Sequence, residues 1–136
     1  MITAVDTSVL IDVLADDARY AEASLAALRA CQREGQLVMC EIVLAEVARY
    51  FDTVDELRET LGRLDVRSEA FGDAACHAAG QAFLRYRKRG GTRDRILADF
   101  LIGAHAYVKC ARLLTRDRGF YRDSFPDLVV IDPARA

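Results

Sequence analysis

The chain has 136 residues, of which 52% are hydrophobic and 29% charged, a balance that is typical of a folded globular protein and excludes a disordered one. This length can bury a hydrophobic core without disulfides or structural metals, so we expect a single domain over residues 1–136. The formal net charge of −2 excludes a uniformly basic nucleic-acid-binding domain. Any site for a polyanion must therefore be a local patch.

The cysteines are widely spaced, form no C-x-x-C pair and have no histidine-rich neighbourhood, so they show no spacing typical of a zinc site. We expect all of them to be small buried residues in a reducing compartment. No signal peptide precedes the first apolar run, and no apolar run is long enough to cross a bilayer, which predicts a cytoplasmic protein with no membrane contact. The four cysteines are Cys31, Cys40, Cys76 and Cys110.

Hydrophobic periodicity and breaker residues predict strands that alternate with helices along the chain. A strand over residues 2–5 is followed by Asp6-Thr7-Ser8, which is N-cap chemistry for a helix carrying Val9 to Leu14. The later predicted elements are helix 20–34, strand 37–40, helices 42–51 and 54–64, a weak strand at 64–67, helix 71–89, a helix with Asp99 in its first turn, a strand ending before Thr115, a turn or short helix at 120–125, and strand 128–131.

Short continuous apolar strands that alternate with helices favour a parallel sheet covered on both faces. We therefore expect an α/β fold with three α/β/α layers and about five parallel strands. In such a sheet the helix starts and the strand ends meet at one edge, which is where ligands usually bind.

Acidic residues are placed by this topology at that edge. Asp6 and Asp117 follow two strands, Glu46 lies early in a helix, and Asp99 begins another helix. Clustered carboxylates repel one another unless they hold protons, pair with arginine or bind a cation. Oxygen ligands select Mg²⁺ or Mn²⁺ over zinc, and such an ion supports phosphodiester hydrolysis by activating water.

Four motifs in this order resemble the PIN-domain ribonucleases, and more narrowly the VapC toxins of toxin–antitoxin modules. They are the first strand with Asp6-Thr7-Ser8, the V-L-A-E segment with Glu46, the block D-F-L-I-G-A-H-A from Asp99, and L-L-T-R-D with Asp117. The resemblance covers essentially the whole chain. It implies a PIN-like domain that is a metal-dependent endoribonuclease, has a cognate antitoxin and forms a homodimer.

Residue roles follow from the resemblance position by position. Asp6, Glu46, Asp99 and Asp117 correspond to the acidic quartet that binds the metal and carries catalysis. The resemblance also implies that Ser8 and Thr115 support these ligands with their hydroxyls. Glu41 lies nearer to a strand end than Glu46 but does not match the motif.

Basic residues near the predicted edge have open roles. Arg116 and Arg118, with Arg112 and Arg122, could bind RNA, pair with the acidic quartet or bind an antitoxin. A basic run at 85–95, around a glycine pair, could meet RNA phosphates or form a solvated helix end. Its members are Arg85, Arg87, Lys88, Arg89, Arg93 and Arg95.

Alternative readings remain for the site and for the function. His105, between alanines in an apolar helix, is predicted to be a hydrogen-bonded structural histidine rather than a metal ligand. A receiver-like phosphoacceptor domain would also collect carboxylates at a sheet edge, but it needs a lysine after a late strand. A haloacid-dehalogenase-like phosphatase needs a second aspartate where Ser8 stands. A non-catalytic binding domain of the same fold stays open.

Overall fold

A parallel sheet of five strands forms the centre of the computed structural model, which describes residues 1–91 and 97–135. The strand order across the sheet is β3-β2-β1-β4-β5. The inner strands are almost entirely buried, as expected for continuous apolar runs covered on both faces. The strands are β1 Ile2–Val5, β2 Gln36–Cys40, β3 Val66–Glu69, β4 Arg112–Leu114 and β5 Val129–Ile131.

Helices connect successive strands. The chain moves from β1 through β2 to β3 in one direction, then returns to β4 and β5 on the other side of β1. Because crossovers between parallel strands are right-handed, this reversal puts the first four helices on one face and the last three on the other. The helices are α1 Thr7–Leu14, α2 Ala21–Glu34, α3 Glu41–Ala48, α4 Val54–Leu64, α5 Gly72–Lys88, α6 Leu97–Lys109 and α7 Arg118–Ser124.

The predicted three-layer α/β/α fold is confirmed, with small shifts at element ends. The helix predicted over residues 42–51 begins at Glu41 and ends at Ala48. The weak strand predicted at 64–67 lies at Val66–Glu69, because α4 continues through Leu64 and ends at Asp65 in the left-handed conformation, with φ 54°.

Not every cysteine is buried. Cys31 and Cys40 are buried, Cys110 is half-buried, and Cys76 is exposed on α5. The prediction of a buried residue is therefore wrong for Cys76, because the alanine-rich helix turns that position outward. In the basic run, the positions from Arg85 to Arg89 lie at the exposed end of α5, whereas Arg93 and Arg95 lie outside the described residues.

Strand order determines where a site can form. β1 has β2 on one side and β4 on the other. After β1 the chain continues to β2, whereas after β4 it continues to β5, which lies in the opposite direction across the sheet. A crevice opens at the carboxyl ends of the strands at such a switch point. No helix among residues 1–91 and 97–135 is long and apolar enough to span a membrane.

Candidate active site

Asp6 lies at the end of β1 and caps α1. Its carboxylate Oδ1 accepts a hydrogen bond from the backbone N–H of Thr7 at 2.8 Å, which satisfies one of the free donors at the helix start. The other oxygen, Oδ2, accepts from the hydroxyls of Ser8 at 3.3 Å and Thr115 at 2.6 Å. The side chain is 6% exposed and is held in one orientation by these donors.

Thr115 joins the two halves of the switch point. Val5 pairs with Leu114 in the sheet, so the next residues, Asp6 and Thr115, meet where β1 and β4 end. The Thr115 hydroxyl donates to Asp6 and accepts the backbone N–H of Asp117 at 3.0 Å. One fully buried hydroxyl thus fixes the loop that carries Asp117 relative to Asp6.

Glu46 reaches the same edge from α3. The Thr7 hydroxyl donates to its Oε1 at 2.7 Å, which places this carboxylate beside the first turn of α1. Glu41, the alternative in the sequence, is exposed at the first position of α3. The structure therefore brings Glu46, rather than Glu41, into contact with the loop of Asp6.

Asp99 and Asp117 complete the cluster. Asp99 lies in the first turn of α6 and Asp117 precedes α7. Burial raises the pKa of the Tyr121 phenol far above its usual range, and the charges of Asp6, Asp99 and Asp117 add to this effect. The Thr115 hydroxyl, which bonds to the Asp6 carboxylate and to the Asp117 N–H, ties the Asp117 loop to Asp6.

The Asp6 carboxyl carries the largest electrostatic cost that the site shows. Burial raises its pKa to about 6, and the charge of Asp99 adds to this effect. The hydrogen bonds from Thr115, Thr7 and Ser8 act in the opposite direction but do not cancel it. Among the described residues, the groups that act on Asp6 are hydroxyls, an N–H and another carboxylate, which leaves the ionised form short of positive charge.

A second buried aspartate, Asp12 of α1, is bound very differently. Arg116 donates to both of its oxygens, from Nε at 2.7 Å and from Nη2 at 2.8 Å. The Ser24 hydroxyl donates to the same carboxylate at 2.7 Å. The Tyr20 ring lies under the guanidinium, with 3.9 Å between the Arg116 carbon and the ring centroid. Arg116 is thus committed to Asp12 and not to the acidic quartet.

The other arginines that were predicted near this edge lie in two different places. Arg112 is at the opposite edge, because it begins β4, where it donates to the Thr3 hydroxyl at 2.8 Å and pairs with Glu34 at 3.1 Å. Its predicted position near the site is therefore wrong. Arg118 and Arg122 lie in α7, directly after Asp117, with Arg118 half-buried and Arg122 exposed.

Some residues of the site were not singled out from the sequence. Thr7 was interpreted only as part of a helix cap, yet its hydroxyl binds Glu46. Asp12 stood as one acid within an apolar octapeptide, which is the signal that could have marked it as a buried charge with a partner. Tyr121 gives no sequence signal, because its place among the carboxylates depends on the packing of α7.

The donors at this edge fit a hard divalent cation. Asp6, Glu46, Asp99 and Asp117 offer carboxylate oxygens and are accompanied by the hydroxyls of Thr7 and Thr115. All-oxygen sets of this kind suit Mg²⁺ or Mn²⁺.

The sequence matches the PIN domain family over residues 3–125. This range includes all four acidic residues and every strand except β5, so the chain belongs to the PIN domain family. The family assignment made from the motifs is confirmed. Among curated proteins, none gives a significant match to the chain.

Several solved structures with this fold come from toxin–antitoxin systems. The chain is similar to one in VapBC2 from Rickettsia felis bound to a DNA fragment from its promoter, with TM-score 0.74, 18% identity, and coverage of 97% of this chain and 98% of that one. It is also similar to VapBC-1 from nontypeable Haemophilus influenzae, with TM-score 0.73, 22% identity and coverage of 98% and 99%.

A third similar structure is the VapC20 toxin of Mycobacterium tuberculosis, described as cleaving the sarcin–ricin loop. Its TM-score is 0.56 at 16% identity, with 82% of this chain and 86% of that chain covered. At these identities the three comparisons establish a shared fold.

Proposed function

We propose that this protein is a divalent-metal-dependent endoribonuclease that acts as the toxin of a toxin–antitoxin module. The observation that carries the proposal is the convergence of Asp6, Glu46, Asp99 and Asp117 at the switch point of the sheet. Membership of the PIN domain family supports it. In this proposal residues 1–136 act as one nuclease domain.

The four carboxylates would hold Mg²⁺ or Mn²⁺. A bound divalent ion would polarise the phosphate. It would also lower the pKa of a bound water, so that a hydroxide is available to attack near neutral pH. The protein supplies position: Thr115 and Ser8 orient Asp6, and Thr7 orients Glu46. Tyr121 and the last residues of β1 and β4, Val5 and Leu114, are all buried.

The arginines beside the site have separate roles in this proposal. Arg118, half-buried next to Asp117, is placed to bind an RNA phosphate. Arg116 adds less to RNA binding, because its Nε and Nη2 already donate to Asp12. The hydroxyl-bearing residues Ser8 and Thr115 support the ligands and do not contact RNA.

The toxin role rests on the similar structures. VapBC and FitAB assemblies contain chains of this fold together with partners, and several are bound to DNA. By analogy we propose a cognate antitoxin, a homodimer as the working unit, RNA as the substrate and the cytoplasm as the location. The cleaved RNA is not encoded by the four carboxylates, because RNA specificity depends on loop shape and on contacts to unstacked bases.

The decisive experiment is RNA cleavage by the purified chain, freed of any partner. Total RNA is incubated with Mg²⁺ or Mn²⁺, and cut sites are mapped across the transcriptome. We expect discrete cuts that disappear with EDTA and with Asp99→Asn. The matched control is Asp55→Asn, which changes an exposed acid in the first turn of α4. Cleavage by Asp99→Asn equal to that of the parent would refute the assignment.

The receiver-like alternative gains no support from the lysines. Lys109 donates to the carbonyl of Ala70 at 2.8 Å, and Lys88 is exposed at the end of α5. Neither is placed at the end of a late strand beside Asp6. A non-catalytic domain of the same fold predicts metal binding without cleavage, so the RNA assay separates it from the nuclease.

A further inference from the structure

A second group of metal-binding side chains lies outside the acidic quartet. Glu69 ends β3, His105 lies in α6, and Cys110 follows the last residue of that helix. One carboxylate oxygen, one imidazole nitrogen and the thiol sulfur all lie within 4.8 Å of one another. These three residues are here called the β3–α6 cluster. Glu69 is distant in the sequence from the other two, and none of the three belongs to the proposed nuclease site.

The distances suit a tetrahedral ion. Zinc binds nitrogen and oxygen at about 2.0–2.2 Å and sulfur at about 2.3 Å, which puts neighbouring donors about 3.3–3.7 Å apart. His105 Nε2 and Glu69 Oε1 are 2.9 Å apart, so a small separation would admit an ion between them. The Cys110 sulfur lies within 4.8 Å of both atoms, and a change of its side-chain rotamer would have to bring it to bonding distance of the same ion.

The donor types select the ion. Imidazole, thiolate and a single carboxylate form a nitrogen, sulfur and oxygen set, which suits zinc and is unsuited to magnesium. The quartet around Asp6 offers oxygen alone. The two clusters would therefore take different metals, and a metal that reports on sulfur ligation can tell them apart.

Burial favours the neutral form of the His105 imidazole, which is the form that binds metals. His105 is 1% exposed, its ring is met edge-on by Phe71 at 6.3 Å, and the Glu69 side chain is 33% exposed. This burial lowers the pKa of His105. In the metal-free protein Glu69 contacts Nε2, the nitrogen that would bind the ion, so metal binding would replace this hydrogen bond and leave the ring proton on Nδ1.

Burial has the opposite consequence for the thiol. Burial and the nearby Glu69 charge raise the pKa of Cys110 to about 12, so the metal-free cysteine is a thiol. Binding of the ion forms a metal–sulfur bond and releases the thiol proton to solvent. Without a cation, a thiolate beside Glu69 is unfavourable.

We propose that Glu69, His105 and Cys110 form a zinc site whose fourth position is open to water and which ties the end of the edge strand β3 to helix α6. The site is structural: α6 also carries Asp99, so the ion would hold the helix that delivers this residue to the acidic quartet. This inference does not depend on nuclease activity.

The test uses Co²⁺ as a spectroscopic substitute and Zn²⁺ itself, added to the full-length protein. Co²⁺ bound by thiolate in a four-coordinate site gives a near-ultraviolet charge-transfer band and intense visible bands, whereas an all-oxygen site gives neither. We expect these bands to saturate at one equivalent, to be displaced by Zn²⁺, and to disappear in Cys110→Ser. Glu69→Gln should weaken Zn²⁺ binding by about tenfold or more.

The chain offers matched controls. Cys76→Ser removes an exposed thiol, and Asp99→Asn removes a quartet carboxylate, so both should retain the bands. Glu69→Gln keeps a hydrogen-bond acceptor for His105 and is partly exposed, so it preserves the fold if Cys110→Ser does not. Absence of a thiolate band in the parent protein, its survival in Cys110→Ser or its loss in Cys76→Ser would overturn the proposal and leave His105 as a hydrogen-bonded structural residue.

Discussion

Asp6 and Asp12 lie six residues apart, are 6% and 2% exposed, and meet opposite surroundings. Asp12 receives a bidentate arginine and a serine hydroxyl, so its charge is neutralised within the protein. Asp6 receives hydroxyls and an N–H, and it faces the charge of Asp99. A buried carboxylate that an arginine neutralises serves the fold, whereas one that residues 1–91 and 97–135 hold with hydroxyls and an N–H is a candidate binding site.

The largest effect should come from unpairing Asp12. Arg116→Met leaves a buried carboxylate without its cation, which we expect to lower the free energy of unfolding by about 3–5 kcal/mol. Urea unfolding measures this change. Arg122→Met, at an exposed position of α7, is the matched control and should have little effect.

A double variant, Arg116→Met with Asp12→Leu, separates pairing from packing. Replacing both members of a buried ion pair by apolar groups is often neutral, so most of the lost stability should return. An Arg116→Met protein as stable as the parent would mean that Asp12 is neutralised in another way, and the contrast with Asp6 would lose its basis.

The next largest effect concerns the pH dependence of Asp6 in EDTA. Because the folded-state pKa is raised from 3.8 to about 6, this group favours the folded state fully below its unfolded pKa, and the benefit is lost as pH rises through 6. The shift of about two units corresponds to about 3 kcal/mol. Asp6→Asn does not titrate, so its stability relative to the parent should rise between pH 4 and pH 7.

Thermal or urea unfolding of both proteins across that pH range measures the difference. The same comparison for Asp55→Asn, an exposed acid, should stay flat. A stability difference for Asp6→Asn that does not change with pH would show that the Asp6 charge is already compensated in the metal-free protein.

Metal addition should reverse this penalty. A ligand that binds only the folded state stabilises it by about 2.7 kcal/mol at a concentration 100 times its Kd. Mn²⁺ should therefore raise the melting temperature of the parent protein at pH 7 and have much less effect on Asp6→Asn. Equal stabilisation of both proteins would place the ion elsewhere, and the β3–α6 cluster, tested with Cys110→Ser, would be the first place to look.

The sequence predicted much of the fold because its signals are local. Apolar runs, the Asp6 cap and Gly35 set element types within a few residues of their observed ends. The acidic quartet could be grouped from topology alone, since strand ends and helix starts share an edge. The motifs did not predict the hydrogen bonds and ion pairs that join elements far apart in the sequence. The contact of Thr7 with Glu46 spans 39 residues and that of Arg116 with Asp12 spans 104.

Contacts of that length depend on packing and not on spacing. The prediction that Arg112 lies near the site failed for a related reason. Arg112 is close to Thr115 in the sequence, but it begins β4 and therefore lies at the opposite edge of the sheet. The prediction that His105 is hydrogen-bonded is confirmed, but its partner Glu69 lies 36 residues away at the end of β3, and cysteine spacing gives no sign of this contact.

The smallest predicted effect sharpens the comparison at the level of a single hydroxyl. Thr115→Val keeps the shape of a fully buried side chain but removes the donor to Asp6 and the acceptor for the Asp117 N–H. At about 1 kcal/mol for each hydrogen bond, the free energy of unfolding should fall by about 2 kcal/mol. Thr115→Ser, which retains the hydroxyl, should restore most of this loss.

The same hydroxyl lowers the pKa of Asp6, so Thr115→Val should also weaken Mn²⁺ binding at pH 6 more than at pH 8. A Thr115→Val protein that binds Mn²⁺ like the parent at both pH values would mean that this hydroxyl supports the fold and does not tune the site.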